Sequence, residues 1–145
     1  MRKLILIAAL AMLYGCNSNA KKRASASELN PDKAYRLMES IERGGLNYTD
    51  FCMQCHMANG KGIPGTFPPL AGSNWLKDKR QESIHAVKYG QTGQIEVNGV
   101  IYNSVMVTMG LSDEEIADVL NYVMNSWGNT QDKMVIAAEV NSVKK

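Results

Sequence analysis

Four apolar residues spaced to share one helical face predict the first element of the chain. They stand at positions i, i+3, i+4 and i+7: Ala34, Leu37, Met38 and Ile41. Pro31 and Asp32 suit the first turn of this helix, because proline lacks an N–H there and an acid faces the positive end of the dipole. Gly44 and Gly45 predict an interruption. Helical spacing then resumes with Tyr48, Phe51, Cys52 and Cys55. A glycine-containing stretch at 59–62 ends this element.

The middle of the chain carries a weaker periodic signal. Residues 63–73 contain three prolines and two glycines without a helical or strand period, which predicts an irregular loop. A loop of this length inside a compact domain is expected to have a function, and wrapping a cofactor is one. Residues 82–89 predict a helix with Ile84 and Val87 facing inward. Residues 91–102 predict turns or at most a short hairpin, because Asn98 and Gly99 are typical turn residues.

The last long helix has the clearest start and stop signals. Ser112 and Glu115 form the S-x-x-E pattern of a capping box. A continuous apolar stripe follows the cap: Ile116, Val119, Leu120, Val123 and Trp127. Gly128 ends the helix, and residues 137–143 predict a short closing helix. Together these elements predict an all-α domain of three to five helices over residues 30–145.

The front of the chain has the pattern of an export signal. Arg2 and Lys3 precede an apolar run of 11 residues, 4–14, which is too short to span a bilayer as a helix. The run ends in Leu-Tyr-Gly-Cys, which resembles a bacterial lipobox and implies cleavage before Cys16 and lipidation of its thiol. We therefore expect a signal peptide at 1–15 and a flexible, lipidated tether at 16–29. An uncleaved anchor, or an exported soluble protein cut elsewhere, are the alternatives.

The charge of the chain argues against one class of partner. The formal net charge is +2, but residues 30–129 hold eight basic against eleven acidic side chains. A nucleic-acid-binding domain needs a basic surface. We therefore expect no nucleic-acid partner.

The strongest motif is Cys52-Met-Gln-Cys55-His56, the C-x-x-C-H pattern of covalent haem attachment. Two cysteines one helical turn apart lie on the same face, where each thiol can form a thioether to a haem vinyl group. The adjacent imidazole can then bind the iron. A zinc site would need four ligands, and only His85 and the distant Cys16 are left to complete one. A redox-active C-x-x-C is typical of a βαβ setting, which the surrounding pattern does not predict.

The second axial ligand to the iron could be a methionine or His85, or the iron could have no second ligand. The chain has nine methionines. Met1 and Met12 leave with the leader, and Met134 lies in the tail. Met53 and Met57 flank the attachment residues and cannot reach the opposite face of the haem. Met38 and Met124 are expected to fill the core. Met106 and Met109 remain as candidates, in the segment before the capped helix.

Taken together, these motifs resemble a class I cytochrome c over about residues 32–129. In that family a helix ending in C-x-x-C-H precedes a Pro-x-Leu element, here 68–70. One or two further helices, a tyrosine-containing loop with the ligand methionine, here 102–106, and a C-terminal helix then follow. A proline usually follows the ligand methionine, whereas this chain has Val107.

The resemblance implies a cytochrome c fold around one covalently bound haem c. It implies that Cys52 and Cys55 carry the thioethers and that His56 is the proximal ligand. The carbonyl of Pro68 would accept a hydrogen bond from the His56 ring, and Met106 would be the distal ligand, in preference to Met109.

From this chemistry we expect a non-enzymatic electron carrier, tethered through Cys16 to the periplasmic side of a bacterial membrane. Its donor would be a quinol-oxidising complex or a dehydrogenase, and its acceptor a terminal oxidase or reductase. The alternatives are a haem subunit of a larger periplasmic oxidoreductase and, with an open distal side, a haem peroxidase or gas-binding protein.

Overall fold

A computed structural model describes residues 31–131 and 133–145. The signal peptide, Cys16 and the tether lie outside these residues. Within them the chain forms six helices and one hairpin: α1 Pro31–Phe51, α2 Met53–His56, α3 Asn74–Asp78, α4 Arg80–Tyr89, β1 Ile95–Val97, β2 Val100–Tyr102, α5 Asp113–Val123 and α6 Ala137–Ser142. The prediction of a mostly helical fold is confirmed, with one helix more than expected. None of the described helices combines the length and the apolar character needed to cross a membrane.

Helix α1 runs through both glycines without a break, so the predicted interruption is wrong. The reason is a close crossing with α5. A Cβ atom at position 44 would lie 2.0 Å from the carbonyl oxygen of Asp118, so only glycine allows the two backbones to approach this closely. The glycine pair therefore marks the crossing point of the two helices.

The buried face of α1 also differs from the predicted one. The buried residues are Ser40, Gly44 and Tyr48, one helical turn apart. Met38, expected in the core, is 63 % exposed, and Ala34 is exposed as well. Burial follows the crossing with α5, which lies beyond the apolar stripe at the start of the helix.

Helix α5 begins as predicted. The Ser112 hydroxyl accepts a hydrogen bond from the Glu115 backbone, and the Glu115 carboxylate accepts one from the Ser112 backbone at 2.8 Å. The helix ends at Val123, earlier than expected, and Trp127 lies beyond it with a positive φ of 54° that an α-helix does not contain. The Trp127 ring still packs on Tyr48, with 5.1 Å between ring centroids.

The segment between the loop and the hairpin contains a helix that the sequence pattern did not predict. Helix α3 begins at Asn74, after Ser73, whose hydroxyl accepts a hydrogen bond from the Leu76 backbone. Helix α4 contributes the fully buried Ile84, as predicted. The short hairpin is confirmed, with its turn at 98–99.

The C-terminal tail packs against the rest of the domain. It buries three apolar side chains: Val135, Val140 and Val143. The buried Asn121 side chain donates to the Val135 carbonyl at 2.9 Å and accepts from its N–H at 2.8 Å. Arg80 of α4 forms a two-bond ion pair with Glu139, at 2.7 and 2.8 Å. The predicted closing helix is thus α6, and it is part of the core.

Candidate cofactor site

A mostly apolar cavity opens between α2, the 67–70 loop, α4, the hairpin, the 104–109 segment and α5. Side chains from all these elements line it, among them Phe67, Leu70, Val87, Ile95, Val97, Leu120 and Val123. The expected site residues line the same cavity: Cys52, Cys55, His56, Pro68 and Met106. The fold therefore brings together residues that are far apart in the sequence.

The two thiols of the motif are free and partly buried. Backbone hydrogen bonds from Cys55 and His56 to the Cys52 carbonyl, at 3.1 and 2.9 Å, form one helical turn, so both cysteines face the cavity. Two effects raise the pKa of Cys52 to about 11: burial, which is the larger, and the charge of the nearby Cys55. At neutral pH Cys52 is therefore a neutral thiol, unlike the low-pKa thiolate of a redox-active pair.

The ring of His56 has one fixed partner. Its Nδ1 lies 3.0 Å from the carbonyl oxygen of Pro68, and because a carbonyl only accepts, Nδ1 carries the hydrogen. The imidazole is 8 % exposed, and burial lowers its pKa, while the bond to Pro68 acts in the opposite direction. The ring is thus held as a neutral imidazole whose Nε2 lone pair can be donated to a metal ion.

Two methionines line the cavity, Met106 and Met109. The backbone of Met106 pairs with Gln91, with N–H to O distances of 2.8 and 2.9 Å. The cavity lining alone does not distinguish the two. His85 is not among the lining residues, and its ring instead packs on Tyr89 at 5.2 Å between centroids.

The two methionines expected to fill the core have different outcomes. Met124 is a core residue as expected, at 4 % exposure, whereas Met38 is not. Across residues 31–131 and 133–145, no group of three or more His, Cys, Asp or Glu side chains is placed to hold a metal ion. The proposed lipidation site at Cys16 lies outside the described residues.

Four aromatic residues line the cavity, and none of them was predicted as a site residue. Trp75 and Tyr102 both line it, and Tyr102 is buried. Trp75 stands on the unpredicted α3, between a glycine-rich loop and a charged run, where no periodic pattern marks its environment. The only signal that could have identified it is a large aromatic residue in an otherwise polar segment.

The sequence comparisons agree with this geometry. Residues 41–127 match the family model of cytochrome c, and the chain therefore belongs to the cytochrome c family. It is 48 % identical over 85 residues to a cytochrome c-552 of Thermus thermophilus, a match covering 55 % of this chain and 65 % of the relative.

Dehydrogenase subunits are a second group of relatives. The chain is 30 % identical over 105 residues to the cytochrome c subunit of a quinone alcohol dehydrogenase from Gluconacetobacter polyoxogenes, covering 70 % of this chain and 22 % of that subunit. It is 31 % identical over 117 residues to the cytochrome c subunit of a gluconate 2-dehydrogenase from Pantoea cypripedii, covering 74 % of this chain and 25 % of that subunit. The chain thus spans about two thirds of the cytochrome c-552 and about a quarter or less of these dehydrogenase subunits.

The cofactor of this family is one covalently attached haem c, and the cavity fits it. Its lining is mostly apolar, two free thiols lie one turn apart on its wall, and a buried imidazole faces it. These are the groups that thioether attachment and axial ligation need. Residues 41–127 are therefore a haem-binding domain of the cytochrome c family.

Proposed function

We propose that Cys52 and Cys55 attach the haem, that His56 Nε2 binds its iron on one side and that Met106 Sδ binds it on the other. The observation that carries this proposal is the 3.0 Å hydrogen bond from His56 Nδ1 to Pro68, formed in a cavity that Met106 also lines. Cys52 and Cys55 would hold the haem through two thioether bonds. Burial raises the pKa of Cys52 to about 11, so its thiol keeps its proton at neutral pH until it is attached.

The haem, when bound, supplies an iron that accepts and returns one electron. The chain sets how readily it does so. The bond between His56 and Pro68 holds the imidazole in one orientation and makes it a stronger donor. A methionine ligand favours ferrous iron. The apolar lining acts in the same direction, because a low-dielectric environment disfavours the extra positive charge of the ferric state.

We also propose that the mature protein is tethered through a lipidated Cys16 on the periplasmic side of a bacterial membrane. The lipobox-like leader supports this proposal. The 15 residues from Cys16 to the start of α1 could extend to about 50 Å, enough for the domain to reach partners beside its anchor. Several acyl chains on one cysteine would hold it stably, whereas a single chain binds only marginally.

In this proposal the protein is a carrier and not itself an enzyme. It takes electrons from a quinol-oxidising complex or a dehydrogenase and passes them to a terminal oxidase or reductase. A second candidate is a fixed haem subunit of a larger oxidoreductase, favoured by the similarity to cytochrome c subunits of dehydrogenases. The two candidates differ in whether the protein leaves its donor between transfers.

The ligand assignment is tested with Met106→Ala and Met109→Ala variants of the haem-loaded protein. The readout is the weak red absorption band that marks a sulfur ligand on ferric iron. We expect Met106→Ala to lose the band and Met109→Ala to keep it. Loss only in the Met109 variant would transfer the assignment to Met109. Rapid CO binding by the wild-type ferrous protein would instead favour the peroxidase or gas-binding alternative.

The tether and the partner relation need separate experiments. Cys16→Ala is expected to move the protein from the membrane fraction to the soluble periplasmic fraction, while haem incorporation stays the same. Mild detergent extraction of wild-type membranes is expected to release the protein alone. Stoichiometric co-purification with a catalytic dehydrogenase subunit would favour the fixed-subunit candidate.

A further inference from the structure

We propose that Gly90, the residue that ends α4, is a positioning residue for Met106, because its missing side chain lets the end of α4 hold the Met106 backbone. This inference rests on the proposed role of Met106 as the distal ligand. It assigns a function to a residue that is not among those lining the cavity.

Gly90 and Met106 approach each other at the backbone level. A Cβ atom at position 90 would lie 2.7 Å from the carbonyl oxygen of Met106, closer than real Cβ contacts, and 3.5 Å from the Thr108 nitrogen. Gly90 also has a φ of 86°, in the left-handed region that glycine adopts without steric cost. Any other residue here would force the Met106 segment away from α4.

The close approach allows three hydrogen bonds between the two segments. Gln91 and Met106 exchange both backbone bonds, at 2.8 and 2.9 Å. Two residues further on, the Thr108 hydroxyl donates to the Lys88 carbonyl at 3.2 Å. Residues 106–108 are therefore attached to the last turn of α4 and to Gln91, the second residue after it.

Helix α4 is itself held firmly enough to serve as the fixed part of this pair. Ile84 is completely buried in its middle. Near its end, the Lys88 ammonium donates to the Val140 carbonyl at 2.8 Å and pairs with Asp113 at 3.2 Å. The Met106 segment is thus attached to an element that the core and the tail already fix.

The residues on either side of Met106 are not part of the buried core. Val105 and Val107 both line the cavity. Val107 also lacks the restricted φ that proline would impose at this position. On the other side, the Ser104 hydroxyl donates to the Thr66 carbonyl, which holds the start of the segment but not its end.

The test compares two glycines that share a positive φ. Gly93 has a φ of 82°, and a Cβ atom there would meet nothing within 4 Å. Gly90→Ala and Gly93→Ala therefore both place a side chain at a positive φ, and only the first brings it against the Met106 carbonyl. Both variants are prepared as haem-loaded protein and examined in the ferric state, with far-UV circular dichroism to check that each is folded.

We expect Gly90→Ala to lose at least half of the intensity of the red sulfur-to-iron band. We also expect it to bind added imidazole about tenfold more tightly, because a displaced Met106 competes less well for the iron. The change corresponds to about 1.4 kcal/mol in the free energy of imidazole binding. Gly93→Ala is expected to match the wild type in both measurements. Equal effects in the two variants, or an unchanged band in a folded Gly90→Ala protein, would overturn the inference.

A milder variant covers the case in which Gly90→Ala does not fold. Thr108→Val removes only the hydroxyl bond to Lys88, and we expect it to tighten imidazole binding about twofold. If Gly90→Ala is unfolded and Thr108→Val matches the wild type, the inference is rejected.

The Met106→Ala variant tests the ligand role of Met106 separately from the positioning role of Gly90. If it keeps the red band, the ligand proposal fails, and if it alone loses the band, only the role of Gly90 fails.

Discussion

Gly44 of α1 lies against the backbone of Asp118 in α5, with no room between them for a methyl group. A Cβ atom at position 44 would lie 2.0 Å from the Asp118 carbonyl oxygen. On the same side of α1, the Ser40 hydroxyl donates to the Asp118 carboxylate at 2.5 Å, and Arg43 donates to it at 2.6 and 2.9 Å. This crossing joins α1, the helix that precedes the haem motif, to the capped helix α5.

Gly44→Ala is expected to destabilise the protein by about 3 kcal/mol or more, because the clash is with backbone and cannot be relieved by a rotamer change. Chemical denaturation of the haem-loaded protein measures this. Gly45→Ala is the control, since its Cβ would lie 3.3 Å from the Tyr122 ring and alanine favours helix. The control should stay within about 1 kcal/mol of wild type. Equal stability of the two variants would show that the helices can separate freely.

Asn121→Ala is expected to cost about 3 kcal/mol, because it leaves both backbone groups of the buried Val135 without their partner. Amide exchange gives a local readout, in which the Val135 N–H should lose most of its protection. Asn125→Ala serves as the matched control, since its side chain donates a single bond, to the Asn121 carbonyl. A protected Val135 amide in the Asn121 variant would mean that the tail is held by its apolar contacts alone.

The ion pair between Arg80 and Glu139 predicts a pH dependence of stability. The hydrogen bonds from Arg80 hold the pKa of Glu139 below its usual value of 4.5. A lowered folded-state pKa gives stability that is present above 4.5 and is lost as the pH falls through the folded value.

At pH 7 wild type should therefore exceed Glu139→Gln by about 2 kcal/mol. The difference should be constant down to about pH 5 and shrink below it. Thermal unfolding at a series of pH values measures it. Glu82→Gln on α4 is the control, because Glu82 only pairs with Lys79 at 3.9 Å on the surface. A difference that grows toward acid pH would contradict this interpretation of the pair.

Met57→Gly is expected to stabilise the protein by about 1 kcal/mol. Met57 follows α2 with φ 63° and ψ 157°, a conformation that suits glycine. Its carbonyl is held there by the Tyr48 hydroxyl at 2.6 Å, so relief of strain does not depend on the methionine side chain. Denaturant unfolding provides the measurement. Ala58→Gly, at the next position, should instead lose stability, because it only adds freedom to the unfolded chain.

Local signals predicted the parts of the fold that local interactions determine. The capping box of Ser112 and Glu115 and the turn at Asn98 and Gly99 each depend on residues a few positions apart, and both are present. The burial of α1 could not be predicted in this way. It depends on where α5 crosses, so Ser40 is buried and Met38 is exposed despite their polarity.

The candidate site also has features that local sequence signals predict and features that depend on distant contacts. The spacing of Cys52, Cys55 and His56 is a local signal, and all three line one cavity. The contribution of Trp75 depends on α3, which no pattern marked. The choice between Met106 and Met109 depends on how their segment attaches to α4, which is a contact between distant parts of the chain.

The pairing of the Met106 segment with Gln91 uses main-chain atoms only, and such bonds do not depend on which side chains the paired residues carry. The attachment of the segment to the end of α4 therefore places no restriction on the side chains of Val105 and Val107, which line the cavity. Substitutions at these two positions can change the polarity of the cavity wall while the methionine backbone stays bonded to Gln91.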